Sequence, residues 1–306
     1  MSVASEIAVE LPLYEDAGPR GAPTIMALGG ISASRHVCAN DVDASAGWWE
    51  SIAGPSRAID TTRWRLVGVE YLDGGRGADG RPTRTITTQD QADALVAVLD
   101  EIGVDRLHAI VGASYGGMVA LAFAERYPER LERLVTIGAS HRAHPMTIAL
   151  RVIQRRVVEF GLDTGRAFDA LVLARALAMT TYRTANEFAE RFDGEASAAL
   201  RMTEGYLLHQ GEKFARRFTP ERFLALSLSA DLHEIEPARI RTPAVFIAAE
   251  GDTVVPRGQV EELARALSAP SRVVDLPGIT GHDAFLTEPQ TLGPILIDAL
   301  NSSILS

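Results

Sequence analysis

The chain has 306 residues, 46% of them hydrophobic and 23% charged, with a formal net charge of −10. This size and composition allow a sizeable buried core, and such an acidic chain lacks the electrostatic footprint of a general nucleic-acid binder. The single cysteine, Cys38, excludes a disulfide framework and a cysteine-rich metal site within one chain, and we expect it to be a small packing residue.

Neither a secretory leader nor a membrane span is predicted. The start of the chain, MSVASEIAVELPLYEDAG, is acidic and lacks a basic region followed by an apolar stretch. No apolar run approaches the ~18 residues that a bilayer-spanning helix needs. We therefore expect a cytoplasmic protein.

Short apolar runs alternate with helical patterns in the first part of the chain. Buried strands are predicted over residues 24–28, 65–69, 107–111 and 134–137. A helix is predicted over 89–102, with Thr88 as N-cap and Gln91 completing a capping box, and another from about 118 to 126. Strands and helices that alternate at this spacing indicate right-handed crossovers and a parallel sheet.

A helical insertion interrupts this alternation. Helices are predicted over 148–160, 166–179, 186–192 and 196–210, after which the pattern returns with a strand (243–248), a helix (259–267), a strand (272–276) and a last helix (292–300). The sequence therefore predicts an α/β core at 1–139 and 236–306, with a helical lid at 140–235. An insertion at the carboxyl ends of the strands would roof a site there.

One motif with catalytic chemistry lies where a strand leads into a helix. Gly112-Ala113-Ser114-Tyr115-Gly116 has the pattern G-x-S-x-G, which is weak as a bare string. Its position between strand and helix is the one that a nucleophile elbow requires, because the tight turn exposes the serine hydroxyl above the sheet. We predict that Ser114 is a nucleophile rather than an ordinary helix N-cap.

A serine hydroxyl needs a base, and the base needs a carboxylate that orients it. On this fold the chain order is serine, acid, histidine. Asp252 follows the strand that ends near Ala248, and His282 follows the last strand. This order and these strand-end positions predict a triad of Ser114, His282 and Asp252.

Other residues compete for two of these roles. Glu250 is the nearest rival of Asp252, and Asp231 and Asp275 are weaker ones. No other histidine lies in the required loop late in the chain; the six are His36, His108, His141, His144, His209 and His233. His141 and His144 have no acidic or cysteine partner at metal-ligand spacing, so no metal site is predicted.

Acyl chemistry also needs an oxyanion hole of two backbone N–H groups. One is predicted at Tyr115, directly after the nucleophile. The other is predicted in the loop after the first core strand, at Gly29 or Gly30, although this glycine pair could simply allow a tight turn.

Several further motifs resemble those of one family. The block Gly47-Trp48-Trp49-Glu50, Gly54-Pro55 and Ala58-Ile59-Asp60-Thr61 is the most specific. The others are Ser114-Tyr115-Gly116-Gly117-Met118, Thr180-Thr181-Tyr182-Arg183, Tyr206-Leu207 with Gln210-Gly211 and Lys213-Phe214, and Gly281-His282-Asp283-Ala284-Phe285-Leu286. Over most of its length the chain resembles the homoserine O-acyltransferases of the α/β-hydrolase superfamily.

This resemblance implies an enzyme of methionine biosynthesis that moves an acyl group from acyl-CoA to L-homoserine through an acyl-serine. It implies no bound cofactor and a homodimer formed through the lid. It places Arg175 on the homoserine carboxylate, which a planar guanidinium suits, and Asp283 on the homoserine amine. From the residues alone, Arg175 could be a solvated lid charge and Asp283 a local turn contact.

The chain departs from the family pattern in ways that bear on the substrates. It is shorter, Tyr115 replaces a methionine, and the first loop reads Leu-Gly-Gly-Ile. Succinyl-specific members often carry arginine two residues after the catalytic aspartate, where this chain has Val254, so an acetyl donor is favoured. Three lid arginines could still serve a succinyl group: Arg151, Arg155 and Arg156.

Three competing functions remain. The first is succinyl transfer, to homoserine or to serine. The second is a plain esterase on the same triad, which would need a wetter site and no amino-acid acceptor. The third is a non-catalytic binding protein on this fold, against which the complete triad argues.

Overall fold

The computed structural model describes residues 11–301, so the first ten residues of the acidic start lie outside it. Nine strands are present in this range: β1 (Tyr14–Ala17), β2 (Thr24–Leu28), β3 (Ala53–Gly54), β4 (Ile59–Asp60), β5 (Arg65–Val69), β6 (Ala109–Ala113), β7 (Leu134–Ile137), β8 (Ala244–Ala249) and β9 (Ser271–Leu276). Seven of them form one sheet in the order β1-β5-β2-β6-β7-β8-β9. All neighbours in this sheet are parallel except β1 and β5.

The helices fall into a core set and an inserted set. The core helices are α1 (Thr88–Glu101), α2 (Tyr115–Arg126), α8 (Arg257–Ala266), α9 (Ala284–Thr287) and α10 (Pro289–Asn301). Between β7 and β8 the chain inserts α3 (Pro145–Asp163), α4 (Ala167–Tyr182), α5 (Ala185–Arg191), α6 (Ala196–Ala215) and α7 (Pro220–Asp231). The predicted α/β sheet with a helical insertion is confirmed, and we call the inserted helices the lid.

The sheet separates two hydrophobic layers. Side chains of α1, α2 and α8 pack on one face together with buried side chains of the lid. The other face is covered by α10 and by the segment around Trp49. Strands β2, β5, β6 and β7 are buried along their whole length, as expected for parallel strands covered on both faces. No helix within residues 11–301 combines the length and apolarity that crossing a bilayer requires.

The capping prediction for α1 was wrong by one residue. The N-cap is Thr87, whose hydroxyl accepts the Asp90 N–H at 3.1 Å, while the Asp90 carboxylate accepts the Thr87 N–H at 2.7 Å. Thr88 instead points inward, where its hydroxyl lies 2.8 Å from His233 Nδ1. Gln91 hydrogen-bonds the backbone of Leu72. The predicted capping pair is therefore used in tertiary contacts, and an ionised carboxylate closes the box.

Helix α7 and strand β1 were not predicted, and neither were the short elements β3, β4 and α9. Helix α7 is buried around most of its circumference, so its sequence lacks the amphipathic period that reveals a surface helix. Strand β1 is a short polar edge strand, Tyr-Glu-Asp-Ala, that acquires its conformation by antiparallel pairing with β5. Strand β6 starts at Ala109 rather than at residue 107, because Leu107 forms only an isolated bridge with Leu131.

The turn between β6 and α2 brings sheet and helix into close contact. A Cβ added to Gly112 would overlap the backbone of Gly116, and one added to Gly116 would overlap the Leu28 carbonyl in β2. The Gly116 N–H donates to the Gly29 carbonyl at 3.0 Å. The two glycines of the motif therefore let α2 approach both β6 and the end of β2.

We expect Gly116→Ala to destabilise the fold by about 1–3 kcal/mol, because the new methyl group has no room beside fixed backbone atoms. The matched control is Gly258→Ala in α8, where no atom lies within 4 Å of the added Cβ. That change should be neutral or stabilising by up to about 1 kcal/mol. Thermal unfolding of the two variants measures the difference, and equal midpoints would contradict the packing argument.

Candidate active site

Ser114 lies at the apex of the turn between β6 and α2, in a strained backbone conformation. Its φ of 53° and ψ of −119° lie outside the regions that non-glycine residues favour. The turn is fixed by the bond from the Ser114 N–H to the Ile137 carbonyl at 2.8 Å, and the Ser114 carbonyl accepts from Gly117 and Met118. The half-buried side chain thereby projects into a cavity of about 170 Å³ between the sheet and the lid.

His282 joins Ser114 to Asp252. Its Nε2 lies 2.8 Å from Ser114 Oγ, and its Nδ1 lies 2.8 Å from Asp252 Oδ2. The second carboxylate oxygen of Asp252 accepts the N–H groups of Val254 and Val255 at 2.8 and 3.0 Å. The carboxylate is thus held from both sides, and the imidazole is oriented with one nitrogen on the serine. The structure thus brings the three predicted residues into the hydrogen-bonded arrangement of a catalytic triad, with His282 placed to accept the Ser114 proton and Asp252 placed to orient His282.

The environment of His282 has two opposing electrostatic effects. Complete burial lowers the pKa of the imidazole, because it disfavours the charged form. The Asp252 charge and hydrogen bond outweigh burial, and the net pKa of His282 is raised above 6.5. The ring can therefore accept a proton from Ser114 and hold it beside an ionised carboxylate.

Gly138, which follows β7, is a site residue that sequence reasoning missed. Its φ is +56°, and a Cβ there would lie 3.3 Å from both Asp252 Oδ2 and the His282 ring. The missing side chain leaves room for the two residues to meet. The sequence signal was a glycine at the carboxyl end of a strand next to the elbow strand.

The predicted oxyanion amides lie on two sides of the nucleophile. Tyr115 begins α2, so its N–H is one of the helix-start donors that have no acceptor within the helix. Gly30 borders the cavity, and a Cβ on it would lie 3.9 Å from Ser114 Cβ. The Gly29 carbonyl is held by the Tyr71 hydroxyl at 2.7 Å and by the Gly116 N–H. Their roles in binding an oxyanion remain predictions.

Tyr115 forms part of the contact between the nucleophile turn and the lid. Its ring is buried, and its hydroxyl lies 2.8 Å from Ser229 Oγ on α7 and accepts from Gln91 at 3.3 Å. Burial raises the pKa of Tyr115 to about 12, so the phenol stays neutral. The residue that departs from the family pattern thus connects the nucleophile turn to α7.

The Gly47-Trp48-Trp49 segment packs against the site and contacts the helix that follows His282. Trp49 Nε1 donates to the Phe285 carbonyl at 2.9 Å, which ties this segment to the short helix after His282. Trp48 stacks on Trp49 with ring centroids 4.9 Å apart and lines the cavity. The motif therefore has a positional role that its sequence did not reveal.

Arg175 lies on α4 and lines the same cavity as Ser114. Its guanidinium lies between the rings of Tyr182 and Phe214, 5.1 and 5.2 Å from their centroids. Within residues 11–301 no carboxylate pairs with it. A cation held on two aromatic faces, with no hydrogen bond to any residue that the structure describes, can bind a substrate carboxylate.

Asp283 is also a cavity residue, and it has a protein partner. Arg183 Nη2 lies 3.4 Å from Asp283 Oδ2, and Arg183 Nη1 lies 3.3 Å from Glu187 Oε1. The Asp283 side chain is only 9% exposed. A substrate ammonium at Asp283 would therefore share the carboxylate with Arg183.

The competing candidates lie elsewhere. Glu250 is exposed and borders a different pocket. His144 caps α3, and His141 lies 3.5 Å from Glu262. In the described part of the chain no three histidine, cysteine or acidic side chains gather as a metal site. Burial raises the pKa of Cys38 to about 11, so its thiol is neutral within the core.

One corner of the lid touches the loops that carry Asp252 and His282. Thr184, between α4 and α5, donates from its hydroxyl to the Ile279 carbonyl in the loop before His282. Its methyl group packs against Gly251 and Gly281. Next to it, the Thr253 hydroxyl donates to the Thr181 carbonyl at 3.2 Å. We call this junction the lid corner.

Comparison with known proteins assigns the chain to a family. Residues 23–289 match the family model described as alpha/beta hydrolase fold. The chain is 39% identical to the homoserine O-succinyltransferase of Xanthomonas campestris pv. campestris, over 99% of this chain and 85% of that protein. It belongs to the homoserine O-acyltransferase family of α/β hydrolases.

Other family members differ in the acyl group that their names carry. The homoserine O-acetyltransferase of Thermus thermophilus is 34% identical, over 82% of this chain and 71% of that protein. The crystal structure of homoserine O-acetyltransferase from Bacillus anthracis superposes with a TM-score of 0.85 at 17% identity, over 96% of this chain and 92% of that one. The fold is thus shared across the family, while the donor differs between relatives.

We expect this homoserine O-acyltransferase family member to lose reactivity as pH falls through the raised pKa of His282, because the protonated ring accepts no proton. The acid limb of kcat/KM for acylation by p-nitrophenyl acetate should therefore have its midpoint above pH 6.5. Asp252→Asn removes the charge that favours the imidazolium, so the midpoint should move to lower pH as the rate falls. A limb that stays in place would show that Asp252 does not set it.

Proposed function

We propose that the protein transfers an acyl group from acyl-CoA to the hydroxyl of L-homoserine through an acyl-enzyme at Ser114. The observation that carries this proposal is the placement of Arg175 in the same covered cavity as the Ser114–His282–Asp252 array. A hydrolase needs the array alone, whereas an amino-acid acceptor also needs a cation for its carboxylate. The family relatives named as homoserine acyltransferases support this choice.

In the first half-reaction Ser114 Oγ attacks the thioester carbonyl as its proton passes to His282 Nε2. The tetrahedral oxyanion is stabilised by backbone N–H groups beside the nucleophile, for which we propose Tyr115 with the Gly29-Gly30 loop. The C–S bond then breaks, and the CoA thiolate takes the proton from His282. The product is an ester on Ser114.

In the second half-reaction homoserine occupies the position that CoA left. We propose that Arg175 binds its carboxylate and that Asp283, shared with Arg183, binds its ammonium group. His282 removes the proton from the homoserine hydroxyl, which attacks the acyl-serine. The O-acyl product leaves and Ser114 recovers its proton, which fits a role in methionine biosynthesis and requires no bound cofactor.

The lid covers the nucleophile, which matters because water competes with homoserine for the acyl-serine and would hydrolyse it. Ser114 is half-buried, and His282 is only 4% exposed beneath the lid helices. Tyr182 and Phe285 place rings 5.6 and 6.5 Å from the His282 ring. An enclosed, aromatic site of this kind favours transfer over the plain esterase activity that the same array would permit.

The proposal includes a homodimer formed through the lid and a cytoplasmic location, where CoA thioesters are available. Large apolar side chains exposed on α3, α4 and α6 support the dimer: Val152, Ile153, Phe160, Phe168, Leu173, Leu200, Met202 and Leu208. Sedimentation analysis tests this assembly, and a monomer at micromolar concentration would rule it out.

We expect Ser114→Ala to lower acyl transfer by roughly four orders of magnitude or more, since the nucleophile is lost. Intact-protein mass spectrometry should show an acyl adduct on the wild type when acyl-CoA is supplied without homoserine, and none on the variant. Ser32→Ala, at another cavity residue to which we assign no role, is the matched control and should keep the adduct. Near-normal turnover of Ser114→Ala would remove this residue from the mechanism.

We expect Arg175→Gln to reduce acceptor efficiency by roughly 10- to 150-fold, because a charge-assisted contact is worth about 1.5–3 kcal/mol. The thiol burst of the first half-reaction should change little, since the carboxylate contact belongs to the second. The control is Arg191→Gln, another lid arginine stacked on an aromatic ring, 4.2 Å from the Tyr206 centroid and outside the cavity. A collapsed burst with unchanged homoserine dependence would reassign Arg175 to the donor.

A further inference from the structure

A second arginine, on another lid helix, also lines the cavity. Arg151 on α3 lines the cavity together with Ser114, Ser227 and Ala230. Its Nε donates to Asp231 Oδ1 at 2.6 Å. One turn later on α3, Arg155 Nη1 donates to the other oxygen, Asp231 Oδ2, at 2.6 Å. Two guanidinium groups thus share one carboxylate.

The charges in this cluster do not balance. Asp231 has a side chain only 6% exposed, and it supplies one negative charge against two positive ones. Arg155 Nη1 also donates to the Ser227 carbonyl and to the Ser227 hydroxyl, at 3.1 and 3.0 Å. Arg151 Nη2 is buried and, in the described part of the chain, has no hydrogen-bond partner. The arginine pair therefore carries one surplus positive charge, and the buried donor without a partner belongs to Arg151.

The position of Arg151 relates it to the reacting centre. Its positive charge acts on His282, where it opposes protonation of the ring. It comes from α3, whereas Arg175 comes from α4 and lies between Tyr182 and Phe214. The cavity therefore presents two separate cations near the nucleophile, and the proposed acceptor uses only one of them.

Val254, two residues after Asp252, provides no cation. It is buried and lines the cavity, and its carbonyl accepts from the Thr147 hydroxyl at 2.9 Å. This bond fastens the start of α3 to the Asp252 loop. An uncharged residue at this position favoured an acetyl donor in the sequence, but the fold brings a cation to the same wall from α3.

We propose that Arg151 binds a second carboxylate, at the far end of the acyl group, and so selects a short dicarboxylic acyl thioester of the succinyl type. This inference rests on the proposed function. An acetyl group ends in a methyl and would leave the buried Nη2 of Arg151 without a hydrogen-bond partner, which costs free energy. A terminal carboxylate accepts from this guanidinium and neutralises the surplus charge of the arginine pair.

The chemistry of the transfer step is unchanged by this contact. Ser114 Oγ bonds to the thioester carbon, the C–S bond then breaks from the tetrahedral intermediate, and the serine proton passes through His282 to the departing thiolate. The terminal carboxylate stays ionised on Arg151 throughout. Arg151 therefore determines which acyl donor reacts with Ser114, whereas the acceptor step still depends on Arg175.

The test compares three thioesters in the first half-reaction: succinyl-CoA, its uncharged four-carbon counterpart butyryl-CoA, and acetyl-CoA. Thiol release is followed in the wild type and in Arg151→Gln, without homoserine. We expect the wild type to prefer succinyl-CoA. Arg151→Gln should lower kcat/KM for succinyl-CoA by roughly 10- to 150-fold, as for a lost charge-assisted bond. The other two donors should change less than about threefold.

Two controls keep the comparison specific. Arg156→Gln changes an arginine on the same helix whose side chain is 79% exposed, and it should leave the donor preference intact. Rates are read on the alkaline plateau of the pH profile, because loss of the Arg151 charge shifts the titration of His282. Asp231 keeps its bond to Arg155 in the variant, and thermal unfolding verifies that the lid is folded.

The outcomes separate the possibilities. An equal fall with all three donors would make Arg151 a structural tie between α3 and α7 and overturn the inference. A normal burst with weakened homoserine dependence would place the acceptor carboxylate on Arg151 and overturn it too. If acetyl-CoA acylates the wild type as efficiently as succinyl-CoA does, the inference about Arg151 is overturned, but the proposed acyl transfer is not. If no thioester labels Ser114, the proposed function itself fails, and the inference with it.

Discussion

The site depends on one steric constraint, the contact between the ends of β2 and β6 and the start of α2. Gly112 and Gly116 allow this contact only because they carry no side chains. The chain must therefore reverse within a single turn, and Ser114 takes up the strain with a positive φ. The surrounding backbone bonds maintain this conformation, so the hydroxyl is presented to His282 without reorganisation.

Three arginines in or next to the cavity differ in how far their charges are neutralised by the protein: Arg151 and Arg175, which line it, and Arg183, which pairs with the lining residue Asp283. Arg183 lies between Asp283 and Glu187, and it stiffens an acidic patch. Arg175 rests on aromatic rings, which hold it in place without neutralising it. Arg151 shares its counter-ion with Arg155. The wall therefore remains positive where anionic parts of substrates would bind, although the chain as a whole carries a net charge of −10.

Much of the fold and the relative placement of the triad could be predicted from the sequence, because both depend on local patterns. Buried parallel strands leave apolar runs, and the order of Ser114, Asp252 and His282 at strand ends follows the topology. What escaped prediction depends on tertiary packing. Helix α7 is buried on most sides, and the Thr88 hydroxyl hydrogen-bonds His233 instead of capping α1. Arg151 becomes a cavity residue only because α3 packs against α7. No local pattern reveals such contacts, since they arise between segments far apart in the chain.

The lid corner has a mechanical consequence. Thr184 is bonded to the loop before His282 and packs on the glycine before Asp252. A lid that moved away from this corner as a rigid body would pull both loops and separate the base from its carboxylate. Opening that leaves the corner in place, by motion of other parts of the lid, would keep Asp252 and His282 together while substrates and products exchange.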